Sequence, residues 1–562
     1  METTAQNTVP KRDPALVMRL SRLGSAHQCR LSFMRTLTRR LARENWSFAR
    51  PLFQIDNKGV GHAVYTATGP ERTYSLVAFA HDLPPEMRSD RVIATAWDAT
   101  FTLFDGVPTE ADIERLSKNV PHQEAGRVDE NSLSVSRANR SVRRWEHMVD
   151  ALSQGRQPEA ETVASVGYLM RTTAVYGSGK LGAADREKIA TRPEMAAPFQ
   201  AEMLSVYLTR AFVRDLINHM ARAKGGDAAV ELDKDTARGL GIGNSTGLGM
   251  APFIINHPVL FNNWIEAREE AIARVRSLPA ASEAEAAVFR SLFARSQASV
   301  GAWHSEHPVQ AEKLKDLNRD LDKIASYLAA DSLTANAPWN RFYSWAEDAL
   351  SEEGQELIAS LILEPYGHLV DELSAAMSDG RPEAFRINGA MTIGAVRGLI
   401  EAAFGWTLST DWQARENCAR AWYVSEEKLE PRLGERFEEP VADYEQPLAP
   451  ARDAADAALA EWDGDLPVAE FLLKHPEHRH TVRRLQISAE APYSEIQDNT
   501  ISADVLPIDM LRFKLATFGA THFDPRSDRW VRICMYGNAP YPEELSKDNA
   551  DLWVYPAAED TA

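Results

Sequence analysis

The stretch GHAVYTATGPERTYSLVAFAHDL, residues 61–83, reads as two β-strands around a turn. Val, Tyr, Thr and Phe populate both halves, and Gly-Pro-Glu-Arg between them is turn chemistry. With Thr68 opposite Thr73, His62 and His81 fall diagonally on one face of the hairpin. A third run, DRVIATAWDATFTLFDG at 90–106, continues the pattern. Ile93, Trp97, Phe101 and Leu103 alternate onto one face; Asp98, Thr100 and Thr102 alternate onto the other. RPLFQID at 50–56 precedes them as a further strand. An antiparallel sheet near the N-terminus follows, and it decides the fold class.

On the N-terminal side, residues 14–46 keep helical spacing through Leu16, Val17, Leu20, Leu23, Leu31, Met34, Leu37 and Leu41. The segment holds seven arginines: Arg19, Arg22, Arg30, Arg35, Arg39, Arg40 and Arg43. They either dock an acidic partner, a second subunit or a phosphate, or pair with acids elsewhere in the chain, the ordinary fate of a charged helix face. On the C-terminal side, Thr109 is placed to cap a helix, with Asp112 three residues on. Residues 131–160 read as a polar, Arg-rich helix. From 161 to 424 apolar spacings of three and four recur, at 198–224, 263–277, 284–299, 309–330, 340–351, 354–376 and 391–404. Residues 425–465 are acidic, Pro-bearing and Ala-rich, as in a linker or arm. The expectation is an α+β protein with an N-terminal antiparallel sheet with helices, a large mainly helical central domain and a small mixed C-terminal domain. The units fall at 1–130, 131–424, 425–465 (the arm) and 466–562.

Composition narrows the function classes. The formal net charge is −19 over 562 residues, which argues against a general nucleic-acid binder. The three cysteines, Cys29, Cys418 and Cys534, form no CxxC pair, as expected in a reducing compartment. The first residues, METTAQNTVPKRDPA, lack a signal-peptide apolar core, and no run of about 18 apolar residues suggests a membrane span. A cytoplasmic protein without membrane or nucleic-acid partners is expected.

Two stretches could carry chemistry. GLGIGNSTGLGMAPFIINHPVLFNN, residues 239–263, places five glycines within eleven residues, at Gly239, Gly241, Gly243, Gly247 and Gly249. Such use of glycine calls for positive φ angles or close backbone approach. The spacing matches neither GxxxxGK[ST] nor GxGxxG in a βαβ unit, so a nucleotide fold is not supported. The functional reading is a backbone-donor loop over an anion, with Asn244, Ser245, Thr246, Gly247 and Asn262 as substrate-binding positions. The structural reading is a tight crossover. YLMRTTAVYGSGKLGAADR, residues 168–186, sets Arg171, Lys180 and Arg186 around turn glycines and Tyr176. Arginine suits a carboxylate or phosphate, and cations near a phenol lower its pKa. Capping of a helix by Gly177 is the competing reading. Tyr176, Lys180 and His257 are the catalytic candidates.

Other constellations are weaker. His62, His81 and Asp98 would suit a non-haem metal site only if three strands held them in register. His475, His478 and His480 read as an exposed turn, and DPRSDRW near the C-terminus as a structural ion-pair knot. No GxSxG elbow appears. The expected function is an enzyme acting on a small anionic metabolite by acid/base chemistry (elimination, isomerisation or hydrolysis), with no organic cofactor required. The alternatives are a non-enzymatic assembly or regulatory protein that homo-oligomerises through its oppositely charged arms, and a metal-dependent oxygenase.

Overall fold

The computed structural model describes residues 9–88, 96–122, 130–160, 167–172, 189, 191–247, 258–377, 387–408, 411, 423–425, 428–432, 464–479, 482, 485–487, 491–494, 506–520, 522–524, 530–551 and 553. The fold is α+β. Its centre is one nine-stranded sheet in the order β1-β2-β3-β4-β5-β6-β7-β11-β10. The strands are β1 (Ser47–Ile55), β2 (Gly61–Thr68), β3 (Thr73–Ala80), β4 (Ala99–Asp105), β5 (Ser132–Arg140), β6 (Tyr168–Thr172), β7 (Gly241–Gly247), β10 (His522–Asp524) and β11 (Trp530–Met535). β8 (Tyr423–Ser425) and β9 (Lys428–Arg432) pair separately. The helices are α1 (Pro14–Val17), α2 (Phe33–Arg43), α3 (Glu110–Asn119), α4 (Val142–Ser153), α5 (Gln200–Gly225), α6 (Lys234–Gly239), α7 (Pro258–Arg276), α8 (Glu283–Gly301), α9 (Pro308–Ala330), α10 (Pro338–Ala349), α11 (Glu352–Leu361), α12 (Gly367–Val370), α13 (Ile393–Leu408), α14 (Val468–Lys474) and α15 (Pro507–Phe518). Among the described residues no helix is long and apolar enough to cross a membrane.

The hairpin register is the expected one. Thr68 pairs with Thr73, and their hydroxyls meet at 2.9 Å. Alternation gives the sheet two apolar faces. Tyr65, Phe101 and Leu103 lie under α5, where Phe212 packs edge-on to Tyr65 and Phe101 at 6.3 and 5.5 Å. Val64, Val77, Phe79, Phe104 and Val135 lie on the reverse face, against Ile113, Leu116 and Val120 in and after α3. Thr109 caps α3 in a capping box with Asp112.

Two sequence expectations change. Residues 132–140 are a strand, and the helix begins only at Val142. Ser132, Ser134 and Ser136 alternate with Leu133, Val135 and Arg137, a period of two that outweighs the Arg-rich helical look. The sheet is also not purely antiparallel, since β6 and β7 run parallel. The 26-residue helix α5 lies between them and carries the chain back to the starting end, as a parallel crossover requires. The boundary drawn at 130/131 lies between β4 and β5, which are hydrogen-bonded neighbours, and β11 of the last unit pairs with β7.

The basic N-terminal segment finds its acids inside the chain. Arg12 donates to Glu269 of α7 at 2.7 Å and to Glu356 of α11 at 2.7 Å. Arg35 holds Glu364 at 2.6 Å and Asp551 at 2.8 Å, and Arg30 holds Asp371 at 2.7 Å. Arg22, Arg39, Arg40 and Arg43 also meet carboxylates. Buried pairs of this kind contribute little net stability but are costly to break. Glu269→Ala, which removes one of the two buried carboxylates of Arg12 and the nearer one of Arg268, is expected to lower unfolding free energy by about 3–5 kcal/mol. Urea titration checks this, and an unchanged midpoint would contradict it.

Candidate functional site

The Gly-rich stretch is a strand, not a loop, over Gly241–Gly247. Gly241, Gly243 and Asn244 pair with β6, while Ile242–Gly247 pair with β11. Backbone donors committed to two neighbours cannot cradle an anion, which corrects the donor-loop reading for Gly243 and Asn244. The glycines serve close approach. A Cβ on Gly243 would lie 2.5 Å from the Tyr168 ring, and one on Gly241 would lie 2.2 Å from the Met535 carbonyl oxygen. A Cβ on Gly239, at the end of α6, would meet nothing within 4 Å. Gly243→Ala is therefore expected to destabilise by roughly 1–3 kcal/mol, while Gly239→Ala stays within about 0.5 kcal/mol or gains slightly. Parallel melting curves check the contrast, and equal shifts for the two would refute it.

The parallel pair brings the two singled-out stretches to one place. Thr172 lies beside Asn244, and Arg171 beside Gly243. Tyr176, Lys180, Arg186 and His257 lie outside the described residues. Of Ser245 and Thr246 only the backbone is described, opposite Arg532 and Val531 of β11.

One face of β4–β6 carries a cationic cluster. Thr100 is opposite Arg137, and Asn139 is opposite Arg171. Alternation puts all four on the same side, on strands ~4.8 Å apart. The His81 ring meets the Thr100 hydroxyl at 2.9 Å. Arg171 is 4% exposed, and Arg137 stacks 3.7 Å over Trp97. Asp98, on the same face by alternation with Thr100, is a buried carboxylate. Its backbone N–H donates to Asn139 Oδ1 at 2.8 Å, and its carboxylate accepts from the Arg140 backbone N–H at 3.0 Å. Arg140 and Arg88 approach the same carboxylate at 3.5 and 3.9 Å. Burial lowers the His81 pKa, with Asp98 opposing and His122 assisting, so the imidazole is neutral at pH 7. The arrangement offers two guanidinium groups, a neutral imidazole and a hydroxyl on one patch. His62 pairs instead with Phe79, and among the described residues no group of three His, Cys, Asp or Glu side chains could hold a metal.

The opposite face holds a different cluster. Lys514 of α15, 1% exposed, donates to Asn244 Oδ1 at 2.5 Å. Asn244 Nδ2 donates to the Thr172 carbonyl at 3.1 Å. Burial pushes the Lys514 ammonium down to about 7. Asn262 serves structure: its Oδ1 accepts from the Tyr493 N–H at 2.9 Å. Asn263 lies inside α7, which starts at Pro258.

A cavity of about 700 Å³ opens elsewhere, between β1, β2, α5, α6 and residues 541–544. None of the residues singled out from the sequence lines it, and several of its charges are paired with each other, Arg50 with Asp215, Arg214 with Glu543 and Arg222 with Glu231. The chain matches no protein-family model, no curated protein and no solved structure.

Lys514 and Arg137 were missed in the sequence, yet each left a signal. Lys514 lies in PIDMLRFKLATF, a helix buried along its whole length, where lysine is rare unless held. Arg137 lies in a period-two run. For Lys514 the linkage has a definite sign. Below about pH 7 folded and unfolded chains both carry the proton, and the cost of burying the charge is present in full. Between about 7 and the ordinary 10.5 only the unfolded chain is protonated, so stability rises with pH. Lys514→Met is expected to flatten this rise. Melting temperatures of both proteins from pH 6 to 10 check it, and parallel curves would refute it.

Proposed function

We propose that the protein is an enzyme acting on a small anionic metabolite by acid/base chemistry. Arg171 and Arg137 bind the anion, and His81 moves the proton. The observation that carries this reading is the placement of both guanidinium groups on one sheet face, with the His81 imidazole held on Thr100 beside them. Arginine presents paired donors that match a carboxylate or phosphate. A neutral imidazole accepts a proton at pH 7, and the resulting cation gains from Asp98. Asn139 is a positioning residue: its amide ties the start of β4 to β5 through Asp98 and the Ala96 carbonyl. Tyr176 and Lys180 follow Arg171 closely in the chain and remain part of the proposal as proton-transfer groups. No organic cofactor enters this chemistry. Buried thiols at Cys29 and Cys534 fit a cytoplasmic, reducing setting.

The test is a calorimetric screen of inorganic phosphate and of mono- and dicarboxylates against the full chain. Loss of one charge-assisted contact is worth about 1.5–3 kcal/mol. Arg171→Met is therefore expected to weaken binding by about 10–100-fold. His81→Asn should leave binding intact and reduce turnover once a substrate is found. Binding unaffected by both Arg171→Met and Arg137→Met would end the proposal.

A further inference from the structure

The proposed anion chemistry leaves the reverse face of the same strands unused, and that face carries an amine. Lys514 Nζ lies at 2.5 Å from Asn244 Oδ1. The amide cannot turn over without losing its second bond, from Nδ2 to the Thr172 carbonyl at 3.1 Å. Its oxygen is thereby fixed toward the lysine. Thr172 is the in-register neighbour of Asn244 on the parallel strand, so both side chains project to the same side. Thr172 is 3% exposed, and among the described residues its buried hydroxyl has no hydrogen-bond partner. A buried hydroxyl left without a partner costs free energy, and such a group calls for an explanation. Amine, amide oxygen and waiting hydroxyl therefore sit together on the α15 side of β6 and β7.

Lys514 is a polar head inside a buried helix. Residues around it in α15 are buried and mostly apolar, and leucine or methionine would fill the same space without a polar head to desolvate. The neighbouring charged residue of the helix, Arg512, meets Glu353 at 2.7 Å. The Asn244 amide oxygen, a neutral acceptor, orients the Lys514 amine.

We propose that Lys514 is a nucleophilic amine that forms a Schiff base with the carbonyl group of a small aldehyde or ketone, with the Thr172 hydroxyl serving the carbonyl oxygen. The neutral Nζ lone pair attacks the carbonyl carbon, and the C=O π pair moves onto oxygen. A proton lost from nitrogen reaches that oxygen through the Thr172 hydroxyl, giving a carbinolamine. The second nitrogen proton then passes to the carbinolamine hydroxyl, and the nitrogen pair forms C=N as that oxygen leaves as water. Nothing is oxidised or reduced, and the products are an imine and one water. Burial, which holds the ammonium down to about 7, keeps a large share of the amine neutral at physiological pH, the condition such a nucleophile needs. The ligand is therefore a compound small enough for a covered site and bearing one reactive carbonyl. This assignment is independent of the arginine face.

The experiment is reductive trapping on the full chain. Protein is incubated with acetaldehyde or with pyruvate in the presence of cyanoborohydride, and adducts are read by intact mass and peptide mapping. The expected result is a single preferred adduct on Lys514, whose formation increases as pH rises through about 7. Lys514→Met should abolish that adduct, and Thr172→Val should slow it about tenfold or more while the fold is retained. Preference for pyruvate over acetaldehyde would assign an anionic carbonyl ligand, and the reverse a neutral one. Label scattered over surface lysines, with Lys514 unmodified in the wild-type map, would overturn the proposal. Because that map is made on the wild type, it decides the matter even if the Met variant fails to fold.

Discussion

Strand β7 is bare of side chains on one face of its first half, at Gly241 and Gly243, and the middle of the sheet is built around that thinness. Gly241 and Gly243 let the Tyr168 ring and the 534–537 backbone of the β11 end close in to distances a Cβ would forbid. The strand joins six strands from the first half of the sheet to two from the C-terminal end of the chain. Because β6 and β7 are parallel, it also sets Thr172 beside Asn244 and Arg171 beside Gly243. A bulkier β7 would have to move away from Tyr168 or from β11, and either shift would break the ladder that holds the two clusters.

A second constraint acts around the helices. Arg12, Arg22, Arg30, Arg35 and Arg268 meet Glu269, Glu356, Glu364, Asp371 and Asp551 in mostly buried networks. Desolvation opposes every one of these ions, and mutual attraction with good geometry offsets it. The networks tie residues 12–39 to α7, α11, the residues on either side of α12 and the segment before Trp553. They specify which helix sits against which, more than they add to stability. His27 illustrates the balance: burial lowers its pKa even though Glu364 accepts from it at 3.0 Å.

The sheet separates two chemistries by alternation alone. Adjacent residues of one strand, Arg171 and Thr172, face opposite layers. One layer collects guanidinium groups around Asp98, and the other holds a lysine on an amide oxygen. The guanidinium side suits charge recognition because arginine keeps its proton even when buried. The lysine side suits nucleophilic work because burial can strip that proton at moderate pH.

The sequence by itself determined the local elements. The β2–β3 register, the Thr109 cap, the polar side of β4 and the helical run from 258 to 361 are all local patterns of period two or 3.6, or short-range capping chemistry. The strand character of Ser132–Arg140 was present in the sequence too, but its arginines masked the alternation. Tertiary structure alone decided the partners. The glycines of β7 looked like a loop because close approach and positive φ leave the same mark on a sequence. That the basic N-terminal segment would pair with acids elsewhere in the chain was legible, but which acids was not, because they lie more than 300 residues away, at Glu356, Glu364 and Asp551. Lys514 meets Asn244 across 270 residues of chain. No local rule reports such a pairing, because the burial that changes the chemistry of the lysine exists only once the sheet and the helix have closed over it.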